Sequence, residues 1–304
     1  MGNEGQTPKR ESVADALKKY KETGNVVQEN TPQAVPNSIP KAPVINQEEY
    51  EKIMSKETDP DLMTSYEVVK LPSKGLFYPD GLSEVNVEYL TSRDEDLLTT
   101  PSLIENGTVI DVLLKRKIKT KGVLPENLLA GDRSAIVLFL RTSSYGTEYV
   151  VQVPDPRTGI PFKETVDLTK LAYKEITEVP DHEGHFTVEL PMRKKTVKFR
   201  LLTSGEDNQI FRKAEALKEA TGSEFSEYST MKLKAHVVSI GDKTDKSYIN
   251  KFIDAMPALD AYTIRKKILE VSPDVNMAYD FMAKDGYKFK ANLSIGIDFF
   301  FPNT

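Results

Sequence analysis

From Tyr66 onward the apolar positions fall into short clusters with regular spacing, and before Tyr66 they do not. Glu67-Val68-Val69-Lys70-Leu71 reads as a strand running into a turn at Pro72-Ser73-Lys74-Gly75. Val85 to Leu90 alternates with period two, which predicts a second strand. Thr91-Ser92-Arg93-Asp94-Glu95 follows, in which Ser92 and Glu95 have capping-box spacing ahead of a helix carrying Leu97 and Leu98. Val109, Ile110, Val112, Leu113 and Leu114 predict a further helix. Asp132 is expected to cap a helix over 134–142, whose nearly continuous apolar run implies burial on most sides, with Gly146 as its stop. A hairpin is then predicted, 148–153 and 162–168, around Pro154-Asp155-Pro156-Arg157-Thr158-Gly159.

The remaining chain repeats this order. A hairpin over 186–190 and 196–202 turns at Pro191-Met192-Arg193-Lys194 and leads through Thr203-Ser204 into a helix containing Ile210, Phe211, Ala214 and Leu217. Helices are predicted over 227–240 and 246–255. Asp260 is expected to cap another over 261–271, and a last hairpin turns at Asp285-Gly286. Leu90-Thr91-Ser92 matches Leu202-Thr203-Ser204, and each Asp-capped helix is followed by a hairpin. An internal duplication with insertions accounts for this, although strand–Thr-Ser–helix is also a common capping solution that can recur by chance. The expected class is α+β, with two similar halves over 65–180 and 181–304.

Residues 1–64 carry Pro32, Pro36, Pro40 and Pro43, few aromatics and interspersed charge, a composition expected of a disordered or extended arm. Val13, Ala14, Leu17 and Tyr20 have helical spacing, so the arm reads either as a solvated tail or as a segment that orders on a partner. An arm also explains why only 39% of the 304 residues are hydrophobic. The formal net charge of −5 gives no global attraction to nucleic acid or anionic lipid. The absence of Cys excludes disulfides, thiolate metal sites and cysteine nucleophiles. No apolar run approaches the roughly 18 residues of a membrane span, and no signal-peptide core is present, so a cytoplasmic protein is expected.

Candidate chemistry is sparse. His182-Glu183-Gly184-His185 resembles a metal pair, but no third His is near, and Gly184 between Pro180 and a strand reads as a loop leading into a hairpin. The basic run over 115–121 suits a phosphate-binding patch, yet no aromatic interleaves with it, and a helix C-terminus favours cations anyway. No phosphate loop, dinucleotide fingerprint or nucleophile elbow is present. No catalytic residue and no cofactor is expected.

The ordered set Leu71-Pro72-Ser73-Lys74-Gly75 with Tyr78-Pro79, Leu90-Thr91-Ser92 with Glu95-Asp96, Gly131-Asp132-Arg133, Leu140-Arg141 with Ser144-Tyr145-Gly146, and Phe299-Phe300-Phe301-Pro302 covers the chain from about Tyr66 to its end. It resembles the baseplate hub subunit and hub assembly family of T-even and related contractile-tailed bacteriophages. Members of that family often carry Cys-x-x-Cys pairs in the hairpin turns. Here the turns are Val153-Pro154-Asp155-Pro156-Arg157 and Lys284-Asp285-Gly286, so no metal is implied and turn chemistry must hold them.

The resemblance implies a non-enzymatic role in building a phage tail, in the host cytoplasm during assembly and then in the virion baseplate. Its partners would be other tail or baseplate proteins, including the tape-measure protein, with oligomerisation open. It implies either a hub component or an assembly chaperone absent from the virion. A nucleic-acid-binding module using 115–121 is the rival. Candidate partner-binding residues are Leu17, Tyr20, Lys115, Arg116, Lys117, Phe299, Phe300 and Phe301, although the three phenylalanines also read as an edge strand packing on its own core, since consecutive aromatics in a strand place residues on both faces.

Overall fold

Two hairpins begin the two halves of the chain, and each ends its first strand on a Leu-Pro loop. In the first, β1 (Tyr66–Lys70) pairs antiparallel with β2 (Glu84–Glu88), Val69 opposite Val85. The computed structural model describes residues 65–105, 107–283, 285–293 and 297–300. The expected arm over 1–64, with Leu17 and Tyr20, and Phe301 lie outside them.

Three helices follow, α1 (Ser92–Leu98), α2 (Pro101–Glu105) and α3 (Val109–Lys117). A 3₁₀ turn (Pro125–Asn127) leads to α4 (Ala130–Tyr145), and then β3 (Glu148–Pro154) pairs with β4 (Pro161–Asp167). The second half runs through β5 (His185–Glu189), β6 (Thr196–Arg200), α5 (Ser204–Thr221), α6 (Tyr228–His236) and β7 (Val237–Ile240). It continues with α7 (Lys246–Asp254), α8 (Ala258–Val271), β8 (Ala278–Met282) and β9 (Lys288–Asn292), and closes on a 3₁₀ turn at Ile297–Phe300. The architecture is α+β, and the described residues form three two-stranded antiparallel sheets and one three-stranded sheet, β5-β6-β7.

The halves match beyond element order. Thr91 and Thr203 are the N-caps of α1 and α5, each closing a capping box with the acid three residues on, Asp94 or Glu206. The box therefore starts one residue before Ser92, the expected cap. After α3, Ile118 bridges to Val87 of β2. After α6, Val237 pairs with Phe199 of β6. The predicted helix over 227–240 thus stops at His236, because the β-branched Val237, Val238 and Ile240 are better placed as a third strand.

The largest apolar cluster joins Val69, Leu71, Val85 and Val87 of the first hairpin to Leu113 and Leu114 of α3 and Ile136 and Leu140 of α4. Phe281, Leu293, Phe299 and Phe300 from the end of the chain complete it. A second cluster holds Leu190, Val197, Leu233, Val237, Ile249 and Ile264. Phe77 of the first half stacks on Phe186, which stacks on Phe199, at centroid distances of 6.1 and 5.6 Å.

Candidate interaction surfaces

Two buried carboxylates fix the loops that the hairpins present. Helices α4 and α8 begin at Ala130 and Ala258, with Leu129 and Pro257 as N-caps, so neither Asp132 nor Asp260 caps as expected. Both are the third residue of their helix, within its first turn, and are fully buried. Asp132 accepts the Ser73 N–H at 2.9 Å and the Tyr78 hydroxyl at 2.5 Å, and that hydroxyl accepts the Leu129 N–H at 2.9 Å. Asp260 accepts the N–H groups of Met192 and Arg193 at 2.8 and 3.1 Å. Each helix therefore grips the Leu-Pro loop of its own half. Burial raises the Asp132 carboxyl above its ordinary pKa, against the hydrogen bonds from Tyr78 and Ser73.

Both loops hold a lysine in the left-handed region, Lys74 at φ 52° and Lys194 at φ 49°. This conformation disfavours a side chain bearing Cβ and persists where the surroundings over-determine it. Gly131, beside Asp132, packs so closely on the chain before β8 that a Cβ would lie 2.1 Å from the Pro273 carbonyl oxygen.

The basic run is mostly consumed by the protein itself. Lys117 is 2% exposed, with Nζ 2.5 Å from Asp94 and donating at 2.8 Å to the Tyr89 carbonyl. Arg116 Nε lies 3.2 Å from Asp94, and Lys119 Nζ lies 3.1 Å from Glu88. Burial alone would raise the Asp94 pKa, but hydrogen bonds from Lys117 and Thr91 outweigh it and hold it below the ordinary range. Lys115 stays exposed and lines a shallow groove with Asp111 and Arg212.

Phe299 and Phe300 are likewise turned inward, 1% and 0% exposed. Phe299 packs edge-on to Tyr149 at 5.0 Å. The segment packs on the protein's own core, as one of the two expected readings had it, but as a 3₁₀ turn rather than an edge strand, and Phe299 and Phe300 are not an exposed contact surface. In a turn of this kind neighbouring rings can both reach the interior.

The turns that lack the Cys pairs are clasped to one another. Arg157 reaches Asp155 at 2.9 Å in its own turn and Asp285 at 2.7 Å in the last hairpin, with its guanidinium 4.0 Å from the Tyr287 ring centroid. Both carboxyls are held below their ordinary range, first by hydrogen bonds from Arg157. Phe162 and Phe289 meet edge to face beside them at 6.1 Å. Sequence reasoning assigned these turns to Pro and Gly and did not pair them. Oppositely charged residues in two turns 128 positions apart were the available signal.

Among the described residues, Asp181, Glu183 and His185 bring three potential metal ligands within 4.8 Å of one another. They form the turn expected before β5. Asp181 Oδ1 already accepts the N–H groups of Glu183 and His185 at 3.0 and 2.9 Å, so turn formation accounts for the convergence.

No described helix is long and apolar enough to cross a membrane. Searches of curated proteins and of solved structures give no significant match to this chain. A family model described as T4 bacteriophage base plate protein matches residues 63–301, more than three quarters of the chain and all of its described part. This protein therefore belongs to the family of T4 bacteriophage base plate proteins.

Proposed function

We propose that this protein is a structural component of the baseplate hub of a contractile phage tail and works by protein–protein contacts without catalysing a reaction. The family match carries the reading. The neutralisation of Arg116, Lys117 and Lys119 by Asp94 and Glu88 supports it against the nucleic-acid rival, because it leaves few free cations to meet phosphates. The paired loops gripped by Asp132 and Asp260 support reading 65–180 and 181–304 as two copies of one unit that present similar rigid loops to neighbours. The partners in this reading are other baseplate proteins, with the tape-measure protein among them, met first in the host cytoplasm. Phage lacking the gene should accumulate tails without complete baseplates, and purified protein added to such a lysate should restore them. Complete baseplates in the absence of the gene would refute the reading.

A further inference from the structure

We propose that the cleft between α5, α6 and α8 receives a tyrosine of a partner protein, with an acidic residue beside it in the partner's chain. The proposal rests on the reading of the protein as one that works through protein contacts. The cleft has a volume of about 360 Å³ and a largely apolar lining that includes Leu129, Leu202, Leu233, Ile268 and Pro273. That is the small end of the range for pockets that take a side chain or small ligand.

Among the described residues, an acceptor on its wall, His236 Nε2, receives no hydrogen bond. His236 is 5% exposed, and its Nδ1 lies 2.7 Å from the Arg200 carbonyl oxygen, so Nδ1 carries the proton and Nε2 keeps its lone pair. Burial lowers the His236 pKa and keeps the ring neutral. The neighbouring polar groups satisfy each other: Asp207 accepts from Tyr228 at 2.6 Å and from Lys232 at 2.7 Å. Among the described residues none donates to His236 Nε2. An occupant must therefore combine an apolar body with a hydrogen-bond donor at its tip, which describes a tyrosine ring.

The rim supplies the second half of the recognition. Arg265 lines the cleft and is exposed, and among the described residues no carboxylate pairs with it or with the adjacent exposed Lys266. Leu269, also on the lining, is 72% exposed, and Tyr262 on the same helix is 57% exposed. Aligning Asp260 with Asp132 places Leu269 opposite Arg141 in the first half. Arg141 is 1% exposed and donates to the carbonyls of Gly146 and Glu148, where β3 follows its helix. The hairpin that follows α8 instead joins the first-half core through Phe281 and Leu293. The face of α8 that its counterpart buries is thus left open to a partner with an apolar and acidic surface.

The test uses the full chain and a defined probe, the capped tripeptide Asp-Tyr-Leu, titrated to millimolar concentration while methyl and histidine-ring NMR signals are followed. Saturable shifts should appear at Leu233, Leu269 and His236. Replacing the probe's tyrosine by phenylalanine should weaken binding about fivefold or more, because Nε2 is then buried unpaired. Leu269→Asp and Arg265→Glu should abolish the shifts without changing the melting temperature, since both side chains are exposed.

Absence of saturable shifts, or equal binding of the tyrosine and phenylalanine probes, would overturn the proposal. A wild-type dimer that Leu269→Asp makes monomeric would also overturn it, assigning the face to a second copy. If peptide binding holds while phage lacking the gene still build complete baseplates, the functional reading fails and the pocket stands.

Discussion

Lys117→Met removes a charge from beneath α1 while keeping most of the side chain's length. Lys117 and Asp94 are 2% and 0% exposed, and the lysine makes the closest cationic contact to that carboxylate, at 2.5 Å. After the substitution Asp94 retains bonds from the Thr91 N–H and hydroxyl, both at 2.8 Å, and the 3.2 Å approach of the half-exposed Arg116. Breaking a buried ion pair by removing one partner costs about 3–5 kcal/mol. The surviving contacts place this case near 3 kcal/mol, a fall in melting temperature of about 6–12 °C for a folded body of this size.

The pH dependence has a definite sign. Asp94 has its folded-state pKa depressed, so its contribution is present above the unfolded carboxylate value of about 4 and is lost as pH falls through the folded value. The gap between wild type and variant should therefore narrow on acidification, as the carboxylate left unpaired becomes protonated. Urea unfolding at a series of pH values measures both effects. A variant within 0.5 kcal/mol of wild type, with a gap independent of pH, would show that Lys117 is a free surface cation and reopen the basic run as a binding patch.

Three further substitutions probe the scaffold. Asp132→Ala should cost about 2–5 kcal/mol by orphaning the Ser73 N–H and the Tyr78 hydroxyl, and Asp132→Asn should recover part of this because its amide oxygen can still accept from Ser73; thermal melts of the pair test the claim. Gly131→Ala should destabilise by at least about 1–3 kcal/mol, since the new methyl meets the backbone at Pro273 rather than a side chain that can move; a variant that melts with wild type would refute this packing. Phe300→Ala, at a fully buried ring, should lose about 3–5 kcal/mol in urea unfolding, and a change below 1 kcal/mol would return Phe300 to the surface.

Most hairpins were legible in the sequence because alternation and turn residues are local signals. The pairs over 148–153 and 162–168, and over 186–190 and 196–202, are observed within one or two residues as β3-β4 and β5-β6. What escaped was set by distant partners. Asp132 and Asp260 look like caps from their neighbours alone, and only the Leu-Pro loops 59 and 68 residues upstream reveal what they hold. Lys117 reads as one of several surface cations until Asp94 is seen to be buried against it. The strand at Val237 was hidden by the helical residues just before it and required β6 as a neighbour. Inward packing of Phe299 and Phe300 was open to a sequence reading, but the 3₁₀ turn was not, because three consecutive aromatics carry no period that separates a turn from an edge strand.

Quantitative mass spectrometry of purified virions tests the central claim most directly. A hub component should be present at a fixed ratio to the other baseplate proteins, and should remain after the particles are washed in high salt. Its absence from virions whose tails nevertheless need the gene to assemble would contradict the account and make the protein an assembly chaperone.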